Sequence, residues 1–138
     1  MKKMAILLVA AFSFLFSNVA TAFPPLPDDL NIVQPNPSLP KELVAFSGKW
    51  AGTMFVFGRT IKLFLIVERI EETEARLYLY GTSEQWERTT GEVVKERGKY
   101  RIYFQGSKGT NILSFRKGGK YLDLSFALES FTATFERA

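Results

Sequence analysis

The chain has 138 residues, 18 of them basic and 14 acidic, with no histidine and no cysteine. Such a length bounds the protein to one domain. The missing residue types exclude the usual general base, the commonest metal ligand, a thiolate nucleophile and disulfide staples, so packing has to hold the fold, and 13 phenylalanines are on hand for it.

Residues 1–22 carry the marks of a secretory signal. Lys2 and Lys3 form the positive n-region, Ala5 to Phe16 the apolar stretch, and Ala20-Thr21-Ala22 the small-residue cleavage site. The apolar stretch is shorter than the roughly 20 residues a spanning helix needs. Cleavage after Ala22 is therefore expected, leaving an exported chain, periplasmic or secreted, with no integral membrane span. Without Lys2 and Lys3 there remain 16 basic against 14 acidic residues. The basic balance is thus partly the signal's, and no nucleic-acid partner is expected.

All six prolines fall at residues 24–40. Proline cannot donate to a ladder and disfavours helix at the residue before it. Residues 23–39 are therefore expected to form an extended, polyproline-like or disordered leader, either a spacer or a tether or docking strand for a partner. Pro40 suits the first position of a short helix over residues 40–46, with Leu43, Val44 and Phe46 facing inward as a plug for the end of a barrel.

From Trp50 onward the punctuation is glycine and charge, and the runs between have a period of two. This predicts eight strands, at about 49–57, 60–70, 74–81, 86–94, 99–105, 111–116, 120–127 and 131–137. In the second, Ile61, Leu63, Leu65 and Val67 share the inner face. Ala75, Leu77 and Leu79 do so in the third, with Arg76, Tyr78 and Tyr80 outward. Tyr100, Ile102 and Phe104 point in from the fifth, Leu122, Leu124 and Phe126 from the seventh, and Phe131, Ala133 and Phe135 from the eighth. The fourth is the least regular, because Arg88 and Thr90 share the face of Trp86. Phe57-Gly58, Arg97-Gly98 and Gly118-Gly119 are hairpin signals, since glycine supplies the positive φ that tight turns need. Short links pair sequential neighbours antiparallel. Eight strands in that order give an all-β, up-and-down antiparallel barrel over residues 40–138, closed on itself so that no edge is exposed.

A short helix followed by Phe46-Ser47-Gly48-Lys49-Trp50 at the head of such a meander resembles the lipocalin-like members of the calycin superfamily, here as a small exported β-barrel. Gly48 and Trp50 match that group's glycine-x-tryptophan motif. The resemblance implies that an arginine near the end of the last strand covers the tryptophan, and Arg137 is the match. The strands are shorter than in typical lipocalins and no helix follows the barrel, so the resemblance does not extend to a large pocket. A tryptophan at a barrel base buries much apolar area, and a guanidinium stacked on it ties the last strand to the first.

No catalytic constellation emerges, and an enzyme is not expected. Gly106-Ser107-Lys108-Gly109-Thr110 lacks the order of a phosphate loop and reads as a hairpin turn. Glu68, Glu71, Glu72 and Glu74 read as a solvated tip balanced by Arg69 and Arg76, without the glycine and alternating acids of a calcium loop. Asp123 alternates to the face opposite Leu122 and Leu124, outward beside a lysine or arginine. No metal and no cofactor is expected. An eight-stranded barrel either fills with side chains or holds one small ligand. Leu63, Leu77, Ile102, Leu113, Leu124 and Phe135 are the interior candidates to line such a site, and they suit a hydrophobic or amphipathic molecule. The alternative is an envelope protein partner or an inhibitor's target, met by a filled barrel through the outer tyrosines Tyr78, Tyr80 and Tyr103 or through the leader.

Overall fold

The computed structural model describes residues 23–106, 109–126 and 131–138; the expected signal lies outside them. A single turn of helix, α1 (Lys41–Val44), precedes eight strands: β1 (Gly48–Val56), β2 (Arg59–Ile70), β3 (Glu74–Tyr80), β4 (Trp86–Glu96), β5 (Lys99–Gly106), β6 (Gly109–Phe115), β7 (Leu122–Phe126) and β8 (Thr132–Arg137). Each strand pairs antiparallel with the next, and β8 returns to β1 to close the barrel. Pro40 caps α1 from just outside it, its carbonyl accepting from the Leu43 and Val44 N–H groups. β7 is shorter than the periodicity predicts, because the chain from Lys117 to Lys120 is spent on the turn that Gly118 and Gly119 make at positive φ.

The alternation read from the sequence decides the inside. Leu63, Leu65, Leu77, Ile102, Leu113, Leu122, Leu124, Ala133 and Phe135 are buried in one core with Trp50. Leu43 and Phe46, both fully buried, plug the end of the barrel where β1 begins. Phe115 packs on Phe46 at 4.7 Å between ring centres and on Trp50 at 5.7 Å. Gly52 lets β8 approach: a Cβ there would sit 2.5 Å from the Thr134 carbonyl and 2.6 Å from the Phe135 ring.

One feature adds to the expectation and one departs from it. The leader has no regular secondary structure, but it is laid along the outside of β2, β3 and β4. Phe23 packs edge-on against Phe64 at 4.9 Å and stacks on Trp86 at 5.8 Å, and the Trp86 indole donates to the Pro25 carbonyl at 2.7 Å. Its path covers Ile66 and Tyr78, outward residues that are nonetheless buried. The outer tyrosines are therefore no open patch, since Tyr78 is hidden and Tyr80 packs against Trp86 at 5.2 Å. Second, Glu68 is not part of a solvated tip. A bulge between Val67 and Arg69 leaves it without a cross-strand partner on β3. Its carbonyl accepts from the Val33 N–H at 2.9 Å, and its carboxylate accepts from the Asn31 N–H at 3.1 Å. The same carboxylate pairs with Arg88 at 3.3 Å and Arg76 at 3.8 Å, while Arg69 turns instead to Glu71.

Candidate functional site

The two ends of the barrel differ. At the end closed by α1, Gly48 takes φ +110° and its missing Cβ leaves room for the Arg137 guanidinium. That guanidinium lies 4.1 Å from the centre of the Trp50 ring and donates to the Ala45 and Ser47 carbonyls. The Trp50 indole donates to the Phe46 carbonyl at 2.9 Å. Desolvation against the ring pulls the Arg137 pKa below its ordinary value. The helix, the first strand and the last strand are thus fastened at one point.

At the opposite end no second helix stands among the described residues. The inner face here carries Met54, Ile61, Leu79 and Phe126, half-buried and packed against the top of the core. Asn111, paired with Phe104 on one side and Phe126 on the other, shares that inner face and is almost fully buried. The register places Thr89 and Glu87 inward too, opposite Leu77 and Leu79. Trp86, Arg88 and Thr90 therefore share the outer face, where Trp86 and Arg88 meet the leader.

The wall is not evenly laced at this end. Among the described residues the β4–β5 ladder runs from Gly91↔Phe104 to Glu96↔Lys99, while β4 pairs with β3 from Trp86 onward. Trp86–Thr90 thus have a ladder on the β3 side alone, and β4 and β5 part beside Asn111. The inner face beside this parting is thus mixed, with Met54, Ile61, Leu79 and Phe126 next to Asn111, Thr89 and Glu87.

The six interior candidates are together in one cluster: Leu63 is 4% exposed, and Leu77, Ile102, Leu113, Leu124 and Phe135 are fully buried. They are core, and the part-exposed side chains that continue their face are Met54, Ile61, Leu79 and Phe126. Asn111 was legible as an inward residue, two positions before Leu113 on the same strand. The parting of β4 from β5 was not, because register between neighbours leaves no mark in composition.

Outside the barrel, a groove of about 600 Å³ runs over β1, floored by Ala51, Thr53 and Phe64 and bordered by Phe23, Lys62, Thr134 and Glu136. Asp123 points outward, held by Arg116 at 2.8 Å and by the Thr134 hydroxyl at 3.2 Å. The pairing raises the Arg116 pKa above its ordinary value. The Tyr103 hydroxyl donates to Glu96, which holds its pKa above the usual phenol range. Among the described residues no cluster of three metal-ligating side chains occurs, and no helix is long and apolar enough to cross a membrane.

No family model, no curated protein sequence and no solved structure matches the chain.

Proposed function

We propose that the chain is an exported, lipocalin-like, non-enzymatic binding protein that takes a small hydrophobic or amphipathic molecule at the open end of its barrel. The observation that carries this reading is the asymmetry of the two ends. One is plugged by Leu43 and Phe46 and locked by Arg137. The other presents Met54, Ile61, Leu79 and Phe126 around the Asn111 amide, beside the parting of β4 from β5. A largely apolar wall with a few polar groups to orient the guest, here Asn111, Thr89 and Glu87, is how small-molecule sites are generally built. The stacking of Arg137 on Trp50 supports the lipocalin-like assignment. Leu63, Leu77, Ile102, Leu113, Leu124 and Phe135 would form the floor under the guest.

Native mass spectrometry on protein purified gently from its own host tests the reading. A co-purifying species of low mass that leaves on denaturation supports it, and Leu79→Trp, which narrows the mouth, should then lose most of that species. A bare mass with no uptake from a lipid extract would overturn it. That outcome favours a filled barrel acting as an interaction module of the envelope, a reading supported by the full burial of the core and by the groove over β1.

A further inference from the structure

The β1–β2 hairpin tip makes poor sense as a turn in water. Phe57 is 89% exposed and Phe55 69%. Phe57 takes φ +48° and Gly58 φ +74°, the two successive left-handed residues of a tight hairpin turn. That first central position favours asparagine, aspartate or glycine, and a bulky side chain there is a backbone outlier. Arg97 and Gly98 make the same turn at φ +53° and +78°, so what sets Phe57 apart is the exposed aromatic ring that it carries. Among the described residues the ring packs edge-on against the ring of Phe131 alone, at 5.7 Å between centres.

We propose that this tip docks the protein on a lipid bilayer, with the rings of Phe57 and Phe55 entering the interface and Arg59 at the headgroups. Two further observations select this occupant. The tip is a two-residue turn, and among the described residues a Cβ on Gly58 would meet nothing within 4 Å, as at the hairpin glycines Gly98, Gly118 and Gly119. A narrow turn bearing two rings suits a deformable apolar phase, whereas a stable protein interface needs a broad patch of roughly 800 Å² on each partner. Arg59 follows the turn directly, is exposed, and has no ion-pair partner among the described residues. Aromatic rings beside a basic side chain are the make-up of interfacial anchors, and the cation adds attraction to anionic headgroups. The tip lies at the end of the barrel opposite α1, so docking brings that end to the membrane surface. The inference stands on the hairpin alone and holds whether or not the barrel carries a guest.

Flotation with vesicles of phosphatidylcholine, with and without phosphatidylglycerol, tests it on the protein recovered in soluble form from an export host. The protein should float with the mixed vesicles. Phe57→Asn should weaken partitioning about tenfold or more, as expected for withdrawing one buried ring. Its thermal midpoint should hold or rise, because Asn-Gly is the favoured pair for this turn, and that separates lost docking from lost folding. Arg59→Ser should weaken binding to the anionic vesicles alone. Phe57→Trp should keep binding and shift its emission to the blue on vesicles. Failure of the unmodified protein to float with either vesicle would overturn the proposal, as would unchanged flotation of Phe57→Asn. So would a concentration-dependent dimer that Phe57→Asn abolishes, which would assign the tip to a second copy of the chain.

Discussion

The Arg137 guanidinium stands over the Trp50 ring, 4.1 Å from its centre, so the last strand is clamped onto the first where the barrel has to close. Trp50 is 1% exposed and packs against Phe115, which in turn packs on Phe46. Trp50→Ala should therefore lower stability by about 3 kcal/mol or more. Urea denaturation gives the number, and a thermal midpoint displaced by only a degree or two would contradict it. Arg137→Leu loses the stacking and both carbonyl bonds, and roughly 1–3 kcal/mol is expected.

Gly52 and Gly91 fail for a different reason. At Gly52 a methyl group would run into the Thr134 carbonyl and the Phe135 ring, and at Gly91 into Ile102 at 2.5 Å. The carbonyl belongs to the backbone of the pairing strand and cannot step aside without shifting the ladder. Gly52→Ala should lose about 1–3 kcal/mol by overpacking. Gly91→Ala should lose less, because its nearest obstacle is a side-chain methyl. Equal losses in parallel denaturation curves would show that the strands, not the side chains, absorb both.

Glu68 holds the leader with its side chain and its backbone together. Glu68→Ala removes the acceptor for Asn31 and frees Arg76 and Arg88, which are 39% and 45% exposed and so can rehydrate. The global loss should be modest, about 1–2 kcal/mol. The local one should be large: amide exchange and protease cutting over residues 23–33 should quicken while the barrel amides stay protected. Unchanged protection of the leader would mean that Phe23 and Trp86 alone suffice to hold it.

The Tyr78 hydroxyl is buried without a hydrogen-bond partner among the described residues. Burial first, and the nearby Asp29 carboxylate after it, push its pKa above 10.0. A phenol whose folded pKa is raised contributes stability that is whole below the unfolded pKa and is lost as pH rises through the folded one. The protein should therefore weaken as pH climbs past about 10, the leader lifting first because it lies over this ring. Tyr78→Phe should change stability little at pH 7, since the hydroxyl makes no well-formed hydrogen bond and has only the Asp29 carboxylate nearby, and should blunt the alkaline loss. Thermal midpoints of both proteins between neutral and alkaline pH decide it, and identical alkaline slopes would sink the assignment to Tyr78.

The eight strands, their antiparallel order and nearly every inward side chain were legible in the chain. A period of two fixes which face each residue joins, and Phe57-Gly58 and Arg97-Gly98 mark turns by the positive φ they take. The pairing of Arg137 with Trp50 rests on closure, which brings residues 87 positions apart in the chain into direct register. Glu68 looked like any acid near a turn. Its burial follows from a one-residue bulge and from a leader whose prolines say only that it is extended, not what it lies on.

Local pattern thus determined the strands and their faces, because side-chain alternation and turn chemistry act between near neighbours. Only the tertiary structure decided what covers the outer face, where β4 leaves β5, and how Leu43 and Phe46 plug one end of the barrel. Those are matters of register and long-range contact: Trp86 meets Pro25 across 61 residues and Asn31 meets Glu68 across 37. Such contacts depend on the closed shape of the whole sheet, which no short stretch of the chain specifies.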